Sequence, residues 1–226
     1  MNRLLAALPA EDLQALRPQM EEITLELHTP LIVPNEPIEY VIFPITALAS
    51  LVTVLEDGST VEAGSVGHEG MVGIPILLNA TSTPMETVTQ VGGTAIRIPS
   101  EAVKRQFDGS PAMHALLHKY IHALFIIASQ STACNRRHQV DERLARWLLM
   151  SADGIRNEEV AITHEYLATM LGVRRPGVTE AALKLQEDGL IQYRRGGTTI
   201  IDRRGLEARA CECYHVVKNT IEGVFN

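Results

Sequence analysis

Arg174 and Arg175, then Thr179, Glu180 and Lys184, then Arg194 and Arg195 bring base-reading and phosphate-binding chemistry into one short stretch. A guanidinium offers paired N–H donors to a guanine edge or a phosphate, and a carboxylate can accept from a cytosine amino group. Thr163, His164 and Gly177 complete the candidate DNA-facing set. A solvated surface has no reason to place arginine pairs at two separate edges, which distinguishes this pattern from an ordinary charged face.

The elements that must position these groups are written into residues 160–202, VAITHEYLATMLGVRRPGVTEAALKLQEDGLIQYRRGGTTIID. Thr163 is an N-cap, and Glu165 suits the positive end of the helix dipole. Leu167, Ala168 and Leu171 mark one apolar face before Gly172 stops the helix. After a short turn beginning at Val173, Pro176 fits the first position of a second helix, where its missing N–H costs nothing. Val178, Ala182 and Leu185 give that helix a buried stripe, and Gly189 closes it. LIQYRRGGTTIID then reads as two short strands around a Gly196-Gly197 turn. Helix, turn, helix and hairpin make a winged helix-turn-helix, whose second helix enters the DNA major groove. The plainer alternative is an αα-hairpin beside an unrelated β-hairpin; Arg174-Arg175 at the helix entry and Arg194-Arg195 at the wing tip favour the DNA reading.

Charge divides the chain in the same sense. Residues 1–96 hold two basic side chains, Arg3 and Arg17, against twelve acidic ones, whereas residues 97–226 hold eighteen basic against fifteen acidic. Net charges of −10 and +3 account for the total of −7. An acidic whole chain is therefore compatible with nucleic acid, because positive charge sits where the motif is. At 226 residues and 46% hydrophobic, without an apolar run long enough to span a bilayer or a signal-peptide core, the chain reads as a cytoplasmic globular protein with no membrane partner. Its three cysteines, Cys134, Cys211 and Cys213, are not a disulfide framework.

From about Ile23 to Pro99 the pattern is β. TLEL, YVIFP, ALASLVTVL, TVEAGSVG, ETVTQV and TAIRIP are short, β-branched runs separated by turn residues, with Asp57-Gly58 the clearest hairpin. Six or more such strands predict a jelly-roll-like β-roll. Ser110-Pro111 opens a long helix. Met113, Leu117, Tyr120, Leu124, Ile127, Ser131 and Cys134 repeat at four and three, a heptad seam assigned to dimerisation through Met113, Leu117, Tyr120, Leu124 and Ile127. Leu116, Ile121, Phe125 and Ala128 flank the seam, giving more apolar surface than one neighbour would cover. The predicted class is α+β, with a β-roll sensor domain over 1–109, a dimerisation helix over 110–135 and a winged helix-turn-helix DNA-binding domain over 136–226.

That order resembles the Crp/Fnr superfamily of bacterial transcription regulators. The resemblance is carried by YVIFP, LEDGSTVEAGSVGHEGMVG, the helix over 111–134, VDERLARWLLM and ITHEYLATMLGVRRPGVTEAALKLQEDGLI. It implies a cyclic-nucleotide-binding-like N-terminal domain and a homodimer on double-stranded, pseudo-palindromic DNA, with half-sites ~34–36 Å apart. It also suggests RNA polymerase as a partner. No nucleophile elbow, P-loop or paired-carboxylate cleft points to an enzyme, so no catalytic residue is assigned.

The chain departs from its relatives in two places. Cyclic-nucleotide-binding members carry a Gly-Glu pair and, about ten residues on, an arginine for the cyclic phosphate. Here His68-Glu69 stands near the Gly-Glu position, and no Arg or Lys occurs from Pro18 to Ile96. A buried phosphate without a cation is costly, so cAMP and cGMP are not expected as ligands, unless Lys119 of the long helix substitutes. His68, Glu69, Gly70, Met71 and Val72 remain the candidate effector pocket, and the apolar run GMVGIPILL suggests a filled roll or an uncharged ligand. In the second helix, Arg175, Pro176 and Glu180 stand where relatives carry Arg, Glu and Arg, so the usual operator is not implied.

Other cofactors fare worse. No cysteine precedes Cys134, which removes the N-terminal iron–sulfur pattern. Haem would need His28 or His68. His114, His118 and His122 have metal-compatible spacing but read as a solvated helix edge, and Cys211-x-Cys213 with His215 could bind a metal or sense redox, although buried or idle thiols are the commoner case. No cofactor and no metal are expected.

Overall fold

A computed structural model describes residues 1–226 apart from Ser59 and Arg195. Two short helices, α1 (Arg3–Ala6) and α2 (Ala10–Leu16), lead into seven strands. Asn2 fixes the start: its Oδ1 accepts from the Leu5 N–H at 3.0 Å while its Nδ2 donates to Pro44 O and Gly70 O, each at 2.8 Å.

Strands β1 (Glu21–Leu25), β2 (Pro30–Ile32), β3 (Tyr40–Pro44), β4 (Leu48–Val54), β5 (Thr60–Val66), β6 (Glu86–Val91) and β7 (Gly93–Pro99) form two antiparallel sheets. One has order β1-β7-β3 and the other β2-β6-β4-β5. Pairing β1 with β7 and β2 with β6 brings the ends of the region together, the closure expected of a roll. Gly58 turns the β4–β5 hairpin with φ +79°, a value that favours glycine. The apolar stretch after β5 is neither strand nor α-helix. Ile74–Leu78 forms a 3-10 turn, entered at Gly73 (φ +108°) and left at Asn79 (φ +61°).

Helices α3 (Ser100–Gly109) and α4 (Pro111–Arg137) follow. The Ser110 hydroxyl accepts from the Met113 N–H at 3.1 Å, capping α4, whose 27 residues span roughly 40 Å. The seam residues lie on the face that α4 turns to its own chain, with Leu124 half-buried among them. Met113, Leu117, Tyr120 and Ile127 are buried within their own chain, the first three in one core with Val41, Phe43, Met71 and Ile98. The four-three repeat marks the face that α4 lays on its own sheets. The flanking positions are the open ones: Phe125 is 71% exposed, Ala128 is exposed and Ile121 half-buried.

Beyond α4 come α5 (Val140–Ile155), β8 (Glu159–Val160), α6 (His164–Leu171), α7 (Arg175–Glu187), β9 (Ile191–Arg194), β10 (Gly197–Ile200), α8 (Arg203–Arg209) and α9 (Cys213–Glu222). The small sheet has order β8-β10-β9. This module docks on the four-stranded sheet, since Leu48, Val52 and Val91 share one core with Leu144, Trp147, Leu148, Met170 and Leu171. Glu62 is the polar centre of that junction. It accepts from Ser50 Oγ at 2.7 Å, Gln90 Nε2 at 2.9 Å and Trp147 Nε1 at 3.2 Å. Gly67 meets Gly154 backbone to backbone, where an added Cβ would lie 2.5 Å from the Gly154 Cα. Finally, α9 returns to α4, and Arg3 holds Glu222 through paired bonds of 2.6 and 2.7 Å.

Candidate nucleic-acid interface

The Thr163 hydroxyl accepts from the Tyr166 N–H at 3.2 Å, starting α6 as its sequence predicts. Gly172 ends it in the left-handed region (φ +61°), and the Val173 N–H returns to Ala168 O at 3.0 Å. Pro176 occupies the second rather than the first residue of α7, because the helix already opens at Arg175 with Arg174 as its cap residue. Val178, Ala181, Ala182 and Leu185 bury the inner face of α7.

What remains outward is Arg174, Arg175, Pro176, Glu180, Leu183, Lys184, Gln186 and Glu187, with Gly177 and Thr179 at the margins. Arg174 and Arg175 sit where the helix N-terminus already favours anions. Glu180, Leu183 and Glu187 continue the row below Pro176 at helical spacing. Leu183, 52% exposed, is a contact candidate that charge-based reading passes over, although its departure from the buried stripe would have shown it. An apolar side chain there could meet a thymine methyl.

His164 acts as a spacer between elements. Its Nδ1 lies 3.3 Å from Thr179 Oγ1, and its ring stacks on Tyr193 of β9 with centroids 3.9 Å apart. Burial, then the Arg175 charge, lowers its basicity. Lys184 also has a local task. Its Nζ donates to Asp141 Oδ2 at 2.8 Å, and Arg209 Nη2 reaches the same oxygen at 2.8 Å, tying α7 and α8 to α5. Burial pushes the Asp141 carboxyl up, but these two cations outweigh it and hold it below the usual carboxylate range. At the wing, Arg194 is exposed and donates to Gln192 Oε1 at 3.1 Å. Arg195 lies outside the described residues.

The candidate effector residues divide. Met71 and Val72 line a cavity of about 490 Å³ between the roll and α4, with Leu51, Ile74, Ile121 and Phe125. Its polar lining among the described residues is Ser82, Thr83 and Thr87, with no charged group. Gly70 backs onto Tyr120, whose hydroxyl accepts from the Met71 N–H at 3.0 Å; burial pushes that phenol strongly upward. His68 and Glu69 turn away into a smaller cleft of about 210 Å³ beside Gly154, Asp153 and Tyr214. Lys119 reaches the Asn226 main-chain oxygen at 3.2 Å and does not line the cavity. His28 pairs with Tyr166 at 5.2 Å between ring centroids, so neither haem-candidate histidine faces the cavity. His114 and His118 pack around Phe107.

Comparison with known proteins bears on the fold. Residues 142–209 match the Crp-like helix-turn-helix domain family. No curated protein sequence matches the chain. Among solved structures, FixK2 from Bradyrhizobium japonicum superposes with a TM-score of 0.72 at 15% identity, covering 85% of this chain and 98% of that one. A CRP-family transcriptional regulator from Thermus thermophilus gives 0.68 at 17%, covering 84% and 96%. The c-di-GMP-responsive global regulator CLP from Xanthomonas campestris gives 0.64 at 16%, covering 85% and 99%. The chain thus carries a Crp-like helix-turn-helix domain, set in the full fold of the Crp/Fnr transcription regulators.

Proposed function

We propose that this protein is a sequence-specific DNA-binding transcription regulator, acting as a homodimer on a pseudo-palindromic site and indifferent to cAMP and cGMP. The observation that carries the reading is α7: Arg174 and Arg175 stand exposed at its N-terminal end while its inner face is sealed into the core. Arg175 suits a guanine edge and Arg194, on the wing, suits a phosphate. Dimerisation is assigned to the outer row of α4, half-buried Ile121 with exposed Phe125, Ala128 and Thr132, in place of the seam. A twin α4 packed there would also close the open side of the cavity, which Ile121, Phe125 and Ala128 line.

The cavity supports the view that a cyclic phosphate is not the effector. Its lining offers hydroxyls but no cation, so a phosphate drawn inside would lose water without gaining a charge-assisted bond. An uncharged, largely apolar molecule matches it better. Such a molecule could act only through different affinity for two arrangements of the DNA-binding modules. Calorimetry tests this: cAMP and cGMP should give no saturable heat at micromolar concentration and no change in DNA affinity. Saturable binding of either, coupled to DNA affinity, would overturn the ligand assignment.

A further inference from the structure

Cys134 lies near the end of α4, His138 immediately follows it, Cys211 sits between α8 and α9, and Cys213 opens α9. Far apart in the chain, they converge, with one donor atom from each lying within 4.8 Å of all the others. Cys134 Sγ is 3.5 Å from Cys211 Sγ, and Cys213 Sγ is 3.5 Å from His138 Nδ1. Metal–sulfur bonds of about 2.3 Å and metal–nitrogen bonds of about 2.0–2.1 Å, set tetrahedrally, place neighbouring donors roughly 3.5–3.8 Å apart. His215, two residues after Cys213, is exposed and packs on Tyr214 instead.

The surroundings agree with an anionic metal centre. Glu212 Oε2 lies 3.1 Å from His138 Nε2, a carboxylate behind the imidazole that leaves Nδ1 facing the thiols. Gln130 Nε2 donates to Cys213 Sγ at 3.1 Å. Arg146 keeps Nε and Nη1, and Arg143 keeps Nε, buried without a hydrogen-bond partner. The charge of Arg146 acts on Cys134, and that of Arg143 acts on Cys134 and Cys211. Three thiolates and a neutral imidazole around a divalent ion leave one net negative charge, which these guanidinium groups would balance.

We propose that Cys134, His138, Cys211 and Cys213 bind one tetrahedral metal ion, zinc by ligand chemistry, as a closed structural site. Sulfur-rich tetrahedral donors select zinc or an iron–sulfur cluster, and four donors this close together surround one ion rather than spread over a cluster. All four positions are protein-filled, so the ion is a clamp and not a Lewis acid for a substrate. It joins the α4–α5 junction to the segment after α8, and thereby fixes how the DNA-binding module hangs from the long helix. An expectation built on adjacent residues alone, that of idle thiols, gives way to this convergence.

The test is elemental analysis of full-length protein purified under reducing conditions, with cobalt(II) titration of the chelator-treated protein. One zinc per chain is expected, together with the visible absorption of tetrahedral cobalt thiolate. Cys211→Ser should abolish both. Glu212→Gln should keep the fold by circular dichroism yet lower metal affinity about 10–100-fold against a chelating dye. If Cys211→Ser does not fold, the wild-type cobalt spectrum and the Glu212→Gln affinity still decide. A folded, reduced wild-type protein that holds no zinc and develops no cobalt thiolate spectrum would overturn the proposal. So would a native Cys134–Cys211 disulfide.

Discussion

The sheet domain and the DNA-binding module use charge in opposite ways. The module places Arg174, Arg175 and Arg194 outward and holds Lys184 and Arg209 on one buried carboxylate, Asp141. Among the described residues, the cavity of about 490 Å³ between the roll and α4 has no charged group in its lining. A polyanion is offered contacts on the first surface and none inside the second. On the proposed reading, the contrast separates DNA contact, carried by the outward arginines, from ligand binding inside the roll.

The sharpest way to break the comparison is at α4, where both regions meet. Ile127, 4% exposed, faces the chain's own roll, whereas Phe125 at 71% faces out. Ile127→Glu should abolish soluble, folded protein, since an unpaired buried charge costs several kcal/mol. Phe125→Glu should stay folded but sediment as a monomer. A folded Ile127→Glu monomer beside an unaffected Phe125→Glu dimer would restore the seam as the interface.

The next effect concerns DNA. Arg175→Ala should weaken binding to a selected operator by ~1–3 kcal/mol and relax preference at one base pair. Arg194→Ala should weaken binding evenly across sequences and reduce the salt slope by about 1. Equal loss on all sequences from Arg175→Ala would reduce that residue to a phosphate contact.

The smallest expected effect is acid stability. Asp141 has a folded-state pKa below its unfolded value of about 3.9, so its contribution is present above that pH and fades as pH falls through the folded value. Wild type should therefore exceed Asp141→Asn in Tm at neutral pH, with the gap closing in strong acid. A gap unchanged by pH would mean that packing, rather than the Lys184 and Arg209 pairs, sets the difference.

Local signals carried most of what the sequence made legible. Thr163, Gly172 and Gly189 mark helix ends through backbone geometry that depends on near neighbours, and each appears in the structure where its residue type requires. Partnership was harder to see. A four-three repeat states that one face of α4 is buried, but Met113 and Leu117 look the same whether their cover is a twin helix or their own sheets. Lys184 reads as an outward cation until Asp141, 43 residues away, is brought beside it. The same holds for the thiols, because Cys134 and Cys211 are 77 residues apart and meet only once α9 returns to α4. Strand β2 escaped the pattern because three residues are too few to show alternation.

Selection of bound duplexes from a random-sequence DNA library, using the full-length protein, tests the central claim most directly. The account predicts enrichment of a dyad-symmetric site whose half-sites lie one helical turn apart, ~34–36 Å, with enrichment lost in Arg175→Ala. Recovery of no sequence above the input, or of a single unsymmetric site indifferent to Arg175, would contradict it.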